Sequence, residues 1–322
     1  DRQSTMGDQC CDFLAIAINA ITAGDHSPYY NAVCTCLGVS TLTFVVSTIS
    51  GNYSQVDKLW SITPFIYTWM AVTDARTLIM AVLATVWGLR LTANFHRRGG
   101  YQWPPWQGEE DYRWAHIREG RYLPILTKPT VWFLFNLTFI SFYQNILLLL
   151  IVTPSFIAYA VANDCGDGAY PKMNIFGLDG LATILMLTGI LVEAIADNQQ
   201  YKFQEEKYKQ INAGIERKGE YADGFCQSGL FSIVRKPNYA AEQSIWISFY
   251  IFSIAATGGR LWNWSALGWI LLLILFQGSG ALTEKLSLMK YPVRYAEYQK
   301  RVPLYVPKLF GTKVRTAKRK NH

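Results

Sequence analysis

Charge is scarce in this sequence. Asp, Glu, Lys and Arg together make up 16% of the 322 residues, while 51% are hydrophobic. A chain so poor in charge lacks the polar surface that a water-soluble fold of this size needs, and its apolar residues gather in long runs instead of recurring at strand or surface-helix periods. No Cys-x-x-Cys pair occurs among the six cysteines (Cys10, Cys11, Cys34, Cys36, Cys165 and Cys226), which removes the usual spacing of a zinc site or a dithiol redox centre. His-Glu-x-x-His, Gly-x-Ser-x-Gly and a Walker A loop are absent too, so the motifs of zinc proteases, serine hydrolases and P-loop nucleotide binders are missing. The four histidines, His26, His96, His116 and His322, fall in loops or at the terminus; none is given a role, and no metal site is expected. Gly278-Ser279-Gly280 starts like a dinucleotide fingerprint, but the next glycine is lacking and the run closes an apolar stretch instead of following a strand. No basic leader precedes the first apolar run, so a cleaved secretory signal is not expected from it.

What the sequence has is length of apolar run. A membrane-spanning helix needs roughly 17–25 mostly apolar residues, and candidate spans lie at 10–23, 32–50, 59–72, 77–95, 131–161, 175–195, 243–258 and 264–282. The expected fold is all-α, a polytopic transmembrane helical bundle of about seven to eight spans. The run 131–161 carries Gln144 and Pro154 and reads either as one kinked helix or as a helix followed by a re-entrant piece. Parity places the polar stretches 96–130, 196–242 and 283–322 on one side. They hold 24 Lys and Arg, against only Arg76, Lys172 and Arg260 in the loops on the other side. That asymmetry predicts a cytoplasmic C-terminus and cytoplasmic large loops. The net charge of +7 is then explained by anionic membrane lipids as partners, with no nucleic acid. The expected organisation is an N-terminal extension with a weak first span (1–31), a single transmembrane domain (32–310) and a basic tail (311–322), whose Lys313–Lys320 segment would touch headgroups.

The segment from Gly229 to Glu242 carries the most chemistry. Pro237 suits the first turn of a helix, so free backbone donors, Arg235, Lys236 and the helix dipole would meet at the membrane surface as an anion site. An ordinary basic juxtamembrane cap has the same spacing, and spacing alone leaves both open. Asn238 and Glu242, four apart, share one face. Glu193, Asp197, Gln200 and Tyr201 line the end of another span, and Gln277, Glu284 and Lys285 the end of a third, followed by Tyr291, Tyr295, Tyr298 and Pro303. Three such ends on one leaflet predict a polar pocket open to the cytoplasm, reached from the lipid side by an apolar substrate.

These residues resemble a known family. Gly229-Leu230-Phe231, Asn238, Glu242, the upstream Asp197, Tyr291, and Tyr298 followed by Arg301-Val302-Pro303 look like the C-terminal half of steroid 5α-reductases. The likeness is closer to their relatives, the "domain of unknown function 1295" membrane proteins, whose Arg-[His/Lys]-Pro-Asn-Tyr-x-x-Glu pattern stands here as Arg235 to Glu242. Asp57-Lys58-Leu59-Trp60 matches an Asp-x-x-Trp element of the same proteins. The resemblance is good over 190–310 and weaker over 33–160. It implies a bundle that binds NADPH through Asp197, Asn238, Glu242 and Tyr291, with Tyr239 and Glu284 beside them and Arg235 on a phosphate. The implied reaction is hydride transfer to an electron-poor C=C bond of an apolar lipid or sterol enone. Where steroid reductases carry the glutamate that binds the enone carbonyl, this sequence has Ile62 or Thr63; Asp57, Tyr67 and Tyr143 are the catalytic candidates left, although an interfacial or core tyrosine is the simpler reading of each phenol. Two other readings stand beside this one. Isoprenylcysteine and phospholipid methyltransferases use S-adenosylmethionine with a similar turn, but usually carry paired glutamates where this chain has Thr283-Glu284-Lys285. A non-catalytic subunit that keeps the fold would instead have other membrane subunits as partners. The expected location is the endoplasmic reticulum or another organelle membrane, with the mitochondrial inner membrane left open.

Overall fold

Prolines and short polar residues set where the helices of this chain begin. Ser27 accepts a hydrogen bond from the Tyr30 N–H (3.2 Å) just ahead of Pro28, and Asp74 and Thr77 form a reciprocal capping box in which Thr77 N–H donates to Asp74 Oδ1 at 2.8 Å. The computed structural model describes residues 12–24, 26–121, 123–165 and 168–308. The N-terminal residues 1–11 of the expected extension and the basic tail 311–322 fall outside the described residues. Within them the chain is helical and has no strand: α1 Phe13–Ala23, α2 Pro28–Ser50, α3 Gln55–Trp60, α4 Thr63–Met70, α5 Ala75–Arg97, α6 Tyr112–Arg118, α7 Pro129–Phe135, α8 Gln144–Leu150, α9 Thr153–Asn163, α10 Leu178–Asn212, α11 Glu220–Asp223, α12 Pro237–Ala256, α13 Ala266–Lys290 and α14 Pro292–Arg301.

Among the described residues five helices are long and apolar enough to cross a membrane: Pro28–Ser50, Ala75–Arg97, Pro129–Leu150, Leu178–Asn212 and Ala266–Lys290. Along α10, Leu181, Ile184, Leu187, Leu191 and Ile195 stay exposed, a band that fits contact with lipid and an integral membrane protein. The other expected spans are shorter or more polar. At about 1.5 Å per residue, α4 with its 8 residues extends only about 12 Å, against about 30 Å of hydrocarbon. Helix α1 has 11 residues. Helix α12 has 20, but carries Asn238, Glu242 and Gln243 in its first two turns and is not one of the five. The run 131–161 resolves into a helix that passes through a π-helical stretch, Asn136–Tyr143, continues to Leu150, and breaks before Pro154 into the separate helix α9.

The chain divides into two compact units, Asp1–Thr188 with Ser244–Leu275, and Gly189–Gln243 with Phe276–His322. The first has a core built on Trp87, Trp246, Phe249, Phe252, Met80 and Leu147, all fully buried. Trp87 and Trp246 meet edge-on, with centroids 4.8 Å apart. Gly88 lets α5 approach α4 closely: a Cβ there would lie 2.4 Å from the Ser61 carbonyl oxygen and 2.7 Å from the Phe65 ring. At one end of this unit Arg76 donates to both oxygens of Asp179 (2.8 and 3.1 Å) and to the Pro171 carbonyl, with both charged side chains buried. At another place the segment 101–111 is sewn to α3. Lys58 donates to the carbonyls of Pro105 (2.9 Å) and Gln107 (2.6 Å), Gln55 to that of Trp106 (2.9 Å), and the Asp111 N–H to Ser54 Oγ (2.8 Å). The second unit has two small apolar clusters, one of Ala196, Phe203, Cys226 and Phe231, the other of Tyr295, Tyr298 and Val302.

Candidate functional site

In the second unit the polar end of α10 carries the buried Glu193 and Asp197, and the first turns of α12 carry the buried Glu242. Pro237 starts α12 where its missing N–H costs nothing, which points Asn238 toward α10; its Nδ2 donates to Asp197 Oδ1 at 3.4 Å. Glu193, Asp197 and Glu242 are all buried, Asp197 and Glu242 to 4% exposure. Below them Gln243 receives the Gln277 amide (3.4 Å) and donates to the Tyr239 carbonyl (2.8 Å). Tyr239 packs edge-on against Phe276 and shares a 3.3 Å hydrogen bond with Ser279. Among the described residues no three His, Cys, Asp or Glu side chains come together as metal ligands would. The arrangement is acceptor-rich, and a ligand here would be met mainly by carboxylates and amides.

The structure places Arg235 and Glu284 against each other. Arg235 Nη2 and Nε lie 2.6 and 2.9 Å from Glu284 Oε2, with both side chains about nine-tenths buried. Arg235 Nη1 also donates to the carbonyls of Val302 and Gln299, while its backbone N–H donates to Pro303 O at 2.8 Å. Gln299 (2.7 Å) and Tyr295 complete the shell of Glu284. Burial and the Glu284 carboxylate push the Tyr295 phenol well above the usual tyrosine range, so it stays a donor. Tyr298 donates to the Phe231 carbonyl at 2.5 Å. Arg235 thus ties the segment after α14 to the entrance of α12, and a phosphate reaching its guanidinium would compete with Glu284. Tyr291 lies against Gly224 and Phe225.

The three catalytic candidates all belong to the first unit, and among the described residues no hydrogen bond joins any two of them. Asp57 sits in the first turn of α3 and accepts from Trp114 Nε1 at 3.2 Å. Burial pushes its carboxyl upward and Asp111 adds to that, with Arg113, Ser54 and Trp114 opposing. Tyr143 stacks on Phe139 (5.3 Å), which stacks on Phe135 (4.9 Å), an aromatic ladder along the π-helical turn. Tyr67 differs from both. It is fully buried, and its hydroxyl finds no hydrogen-bond partner among the described residues, with the Cys36 thiol and Thr63 as its polar neighbours. A buried orphan hydroxyl is rare and calls for an explanation.

Sequence reading did not pick out the polar seam beside Tyr67. Asn136 donates to Ser47 and Thr48 (3.1 Å each), and Asn145 donates to Thr43 (3.3 Å) and the Ser141 carbonyl (2.7 Å), while Asn145 Oδ1 makes no hydrogen bond among the described residues. The signal was present: two asparagines inside an apolar run are expensive unless partnered.

The family described as "Protein of unknown function (DUF1295)" matches residues 43–302. A curated relative, the "Uncharacterized protein C594.04c" of Schizosaccharomyces pombe, is 36% identical over 281 residues, which cover 83% of this chain and 76% of the relative. No solved structure matches.

Proposed function

The chain belongs to the DUF1295 family, and from that premise we propose that it is a membrane oxidoreductase, related to steroid 5α-reductases, that reduces a C=C bond of an apolar lipid or sterol enone with NADPH. The observation that carries this reading is the pairing of the buried Asp197 on α10 with the half-buried Asn238 in the first turn of α12, whose next turn carries the buried Glu242. Carboxylates beside a primary amide suit a ligand rich in hydroxyl and amide N–H groups, the chemistry of ribose and of a carboxamide ring. When bound, the nicotinamide supplies the hydride. The protein's own work is to bind and orient, to exclude water, and to polarise the acceptor carbonyl. Tyr67 is the first candidate for that last role, since its buried hydroxyl has a donor to offer; Asp57 is the acidic candidate.

The same reading carries a count of seven to eight spans, with α1, α4 and α12 added to the five long helices and α9, with its Pro154, as the re-entrant piece, and a cytoplasmic C-terminus in the endoplasmic reticulum or another organelle membrane. The charge split supports the orientation. So does the first unit, where Arg76, Pro171 and Asp179 gather, as do α3 and the 101–111 segment, with each group drawn from loops of one parity.

Isothermal titration in detergent tests the cofactor. NADPH should bind, and Asn238→Ala or Glu242→Ala should weaken it roughly 5- to 150-fold, the equivalent of about 1–3 kcal/mol for a buried hydrogen bond lost. Binding of S-adenosylmethionine with no response to NADPH would move the chain to methyl transfer.

A further inference from the structure

The second unit buries a lysine that meets no acid among the described residues. Lys207, on α10, is 5% exposed. Its ammonium makes one hydrogen bond, to the Gly224 carbonyl at 3.3 Å, and lies 4.9 Å over the Tyr208 ring and 5.7 Å from that of Phe203. Rings and one carbonyl offset part of the cost of burying the charge, and two of its three donors are left over. No carboxylate lies within ion-pair distance of it among the described residues. The charges that act on it most are both positive, Lys290 and Arg217, and both of those side chains are exposed. The carboxylates nearby are engaged elsewhere: Asp223 with Arg294 (3.5 Å) and Gln227 (2.9 Å), Glu220 with the Gln227 and Ser228 backbone, and Glu206 with Gln210.

Gly224, whose carbonyl holds Lys207, has φ +90°, and a Cβ on it would lie 2.9 Å from the Tyr291 hydroxyl. Lys290, which ends α13, stands 5.5 Å over the Tyr291 ring. The buried Lys207 and the Tyr291 phenol meet at Gly224, and the exposed Lys290 and Arg217 add positive charge that acts on Lys207, a cluster whose electrostatics are unfavourable until an anion enters. A dianion with several acceptor oxygens satisfies most of these donors at once.

We propose that Lys207, Lys290, Arg217 and Tyr291 form a phosphate-binding site. The phosphate is either that of a soluble dinucleotide or that of a lipid headgroup; the recognising chemistry is shared. The site goes beyond the cofactor reading and stands without it, because inorganic phosphate probes it directly.

The experiment is thermal unfolding of the full chain in detergent, in sodium phosphate against sodium chloride of equal ionic strength. Wild type should be stabilised by phosphate, and Lys207→Met should lose that gain, with an apparent affinity roughly tenfold or more weaker. In chloride, Lys207→Met should unfold at the wild-type temperature or above it, since it removes a buried charge without leaving a partner behind. A Lys207 that only props up Gly224 would behave in the opposite way, destabilised in both salts with the phosphate gain intact, and that result overturns the site. Should Lys207→Met fail to fold, the exposed Lys290→Met and Arg217→Met carry the same comparison. No phosphate gain in wild type also overturns it. Two further arms name the source: Lys207→Met weakening NADPH but not NADH points to the dinucleotide, whereas stabilisation in nanodiscs containing phosphatidic acid, over phosphatidylcholine alone, points to the headgroup.

Discussion

Single residues in this protein divide by whether their charge is answered. Arg76 and Asp179 answer each other completely, with Asn174 N–H adding a third donor to the carboxylate at 2.9 Å. Removing one partner strands the other, so Arg76→Ala should cost about 3–5 kcal/mol, while Arg76→Met with Asp179→Leu should recover most of it. Chemical denaturation in detergent, run as a double-mutant cycle, reads both numbers; additive single losses would mean the pair is not coupled. Asp57 is the contrary case. Burial raises its folded-state pKa above the unfolded one, so the stability it contributes is present at acid pH and lost as pH rises through the folded value. Asp57→Asn should therefore match or exceed wild-type stability at neutral pH, and the difference should shrink as the pH falls through the raised folded value toward the ordinary aspartate range, below which it levels off. Thermal melts across that range check the sign. A loss of turnover in the same variant with stability retained would place Asp57 in the reaction.

At the scale of the element, spacing made the long apolar helices readable and hid the short ones. The runs at 32–50, 77–95, 175–195 and 264–282 lie within α2, α5, α10 and α13 or overlap them closely, because some twenty apolar residues leave few alternatives. The run 59–72 holds an 8-residue helix that begins at Thr63 and Pro64, and an apolar composition alone does not tell such a helix from a full-length span. In the site, Asn238 and Asp197 proved neighbours as the helix ends suggested, but the partner of Arg235 was not legible, since Glu284 is 49 residues away and meets it only through tertiary packing. Lys207 was invisible for the same reason: nothing in a Lys-rich helix end marks which lysine will be buried. The α4–α5 contact yields a prediction of its own. Gly88→Leu would drive a side chain into the Ser61 carbonyl and Phe65, and overpacking of this kind costs about 1–3 kcal/mol or more. Gly88→Ala should cost less, and equal unfolding of the two would show that α4 moves aside freely.

For the molecule as a whole, the charge asymmetry and one disulfide bear on the same question. Loops rich in Lys and Arg stay on the cytoplasmic side, while disulfides form and persist in oxidising compartments and are rare in reducing ones. Cys165 is disulfide-bonded and stands in the 162–174 loop, whose one basic residue is Lys172. The cysteines Cys34, Cys36 and Cys226 are free; Cys226, in the second unit beside the basic segments, has its thiol pushed up to about 11 by burial, with Glu220 adding to that, and is inert at neutral pH. Both observations agree with the proposed orientation, in which the sparsely charged face meets the oxidising side. The expected outcome in sealed vesicles follows. Cysteine placed at Glu109 or Ile215, both exposed, should react with an impermeant maleimide from the cytoplasmic face alone. Cysteine placed at Lys172 should react from the other face alone, and Cys165 should react there only after reduction. If Glu109→Cys and Lys172→Cys label from the same face, the parity of the spans between them is wrong. If Cys165 labels without reductant in protein taken directly from its native membrane, the sparse face lies in a reducing compartment, and orientation would rest on charge alone.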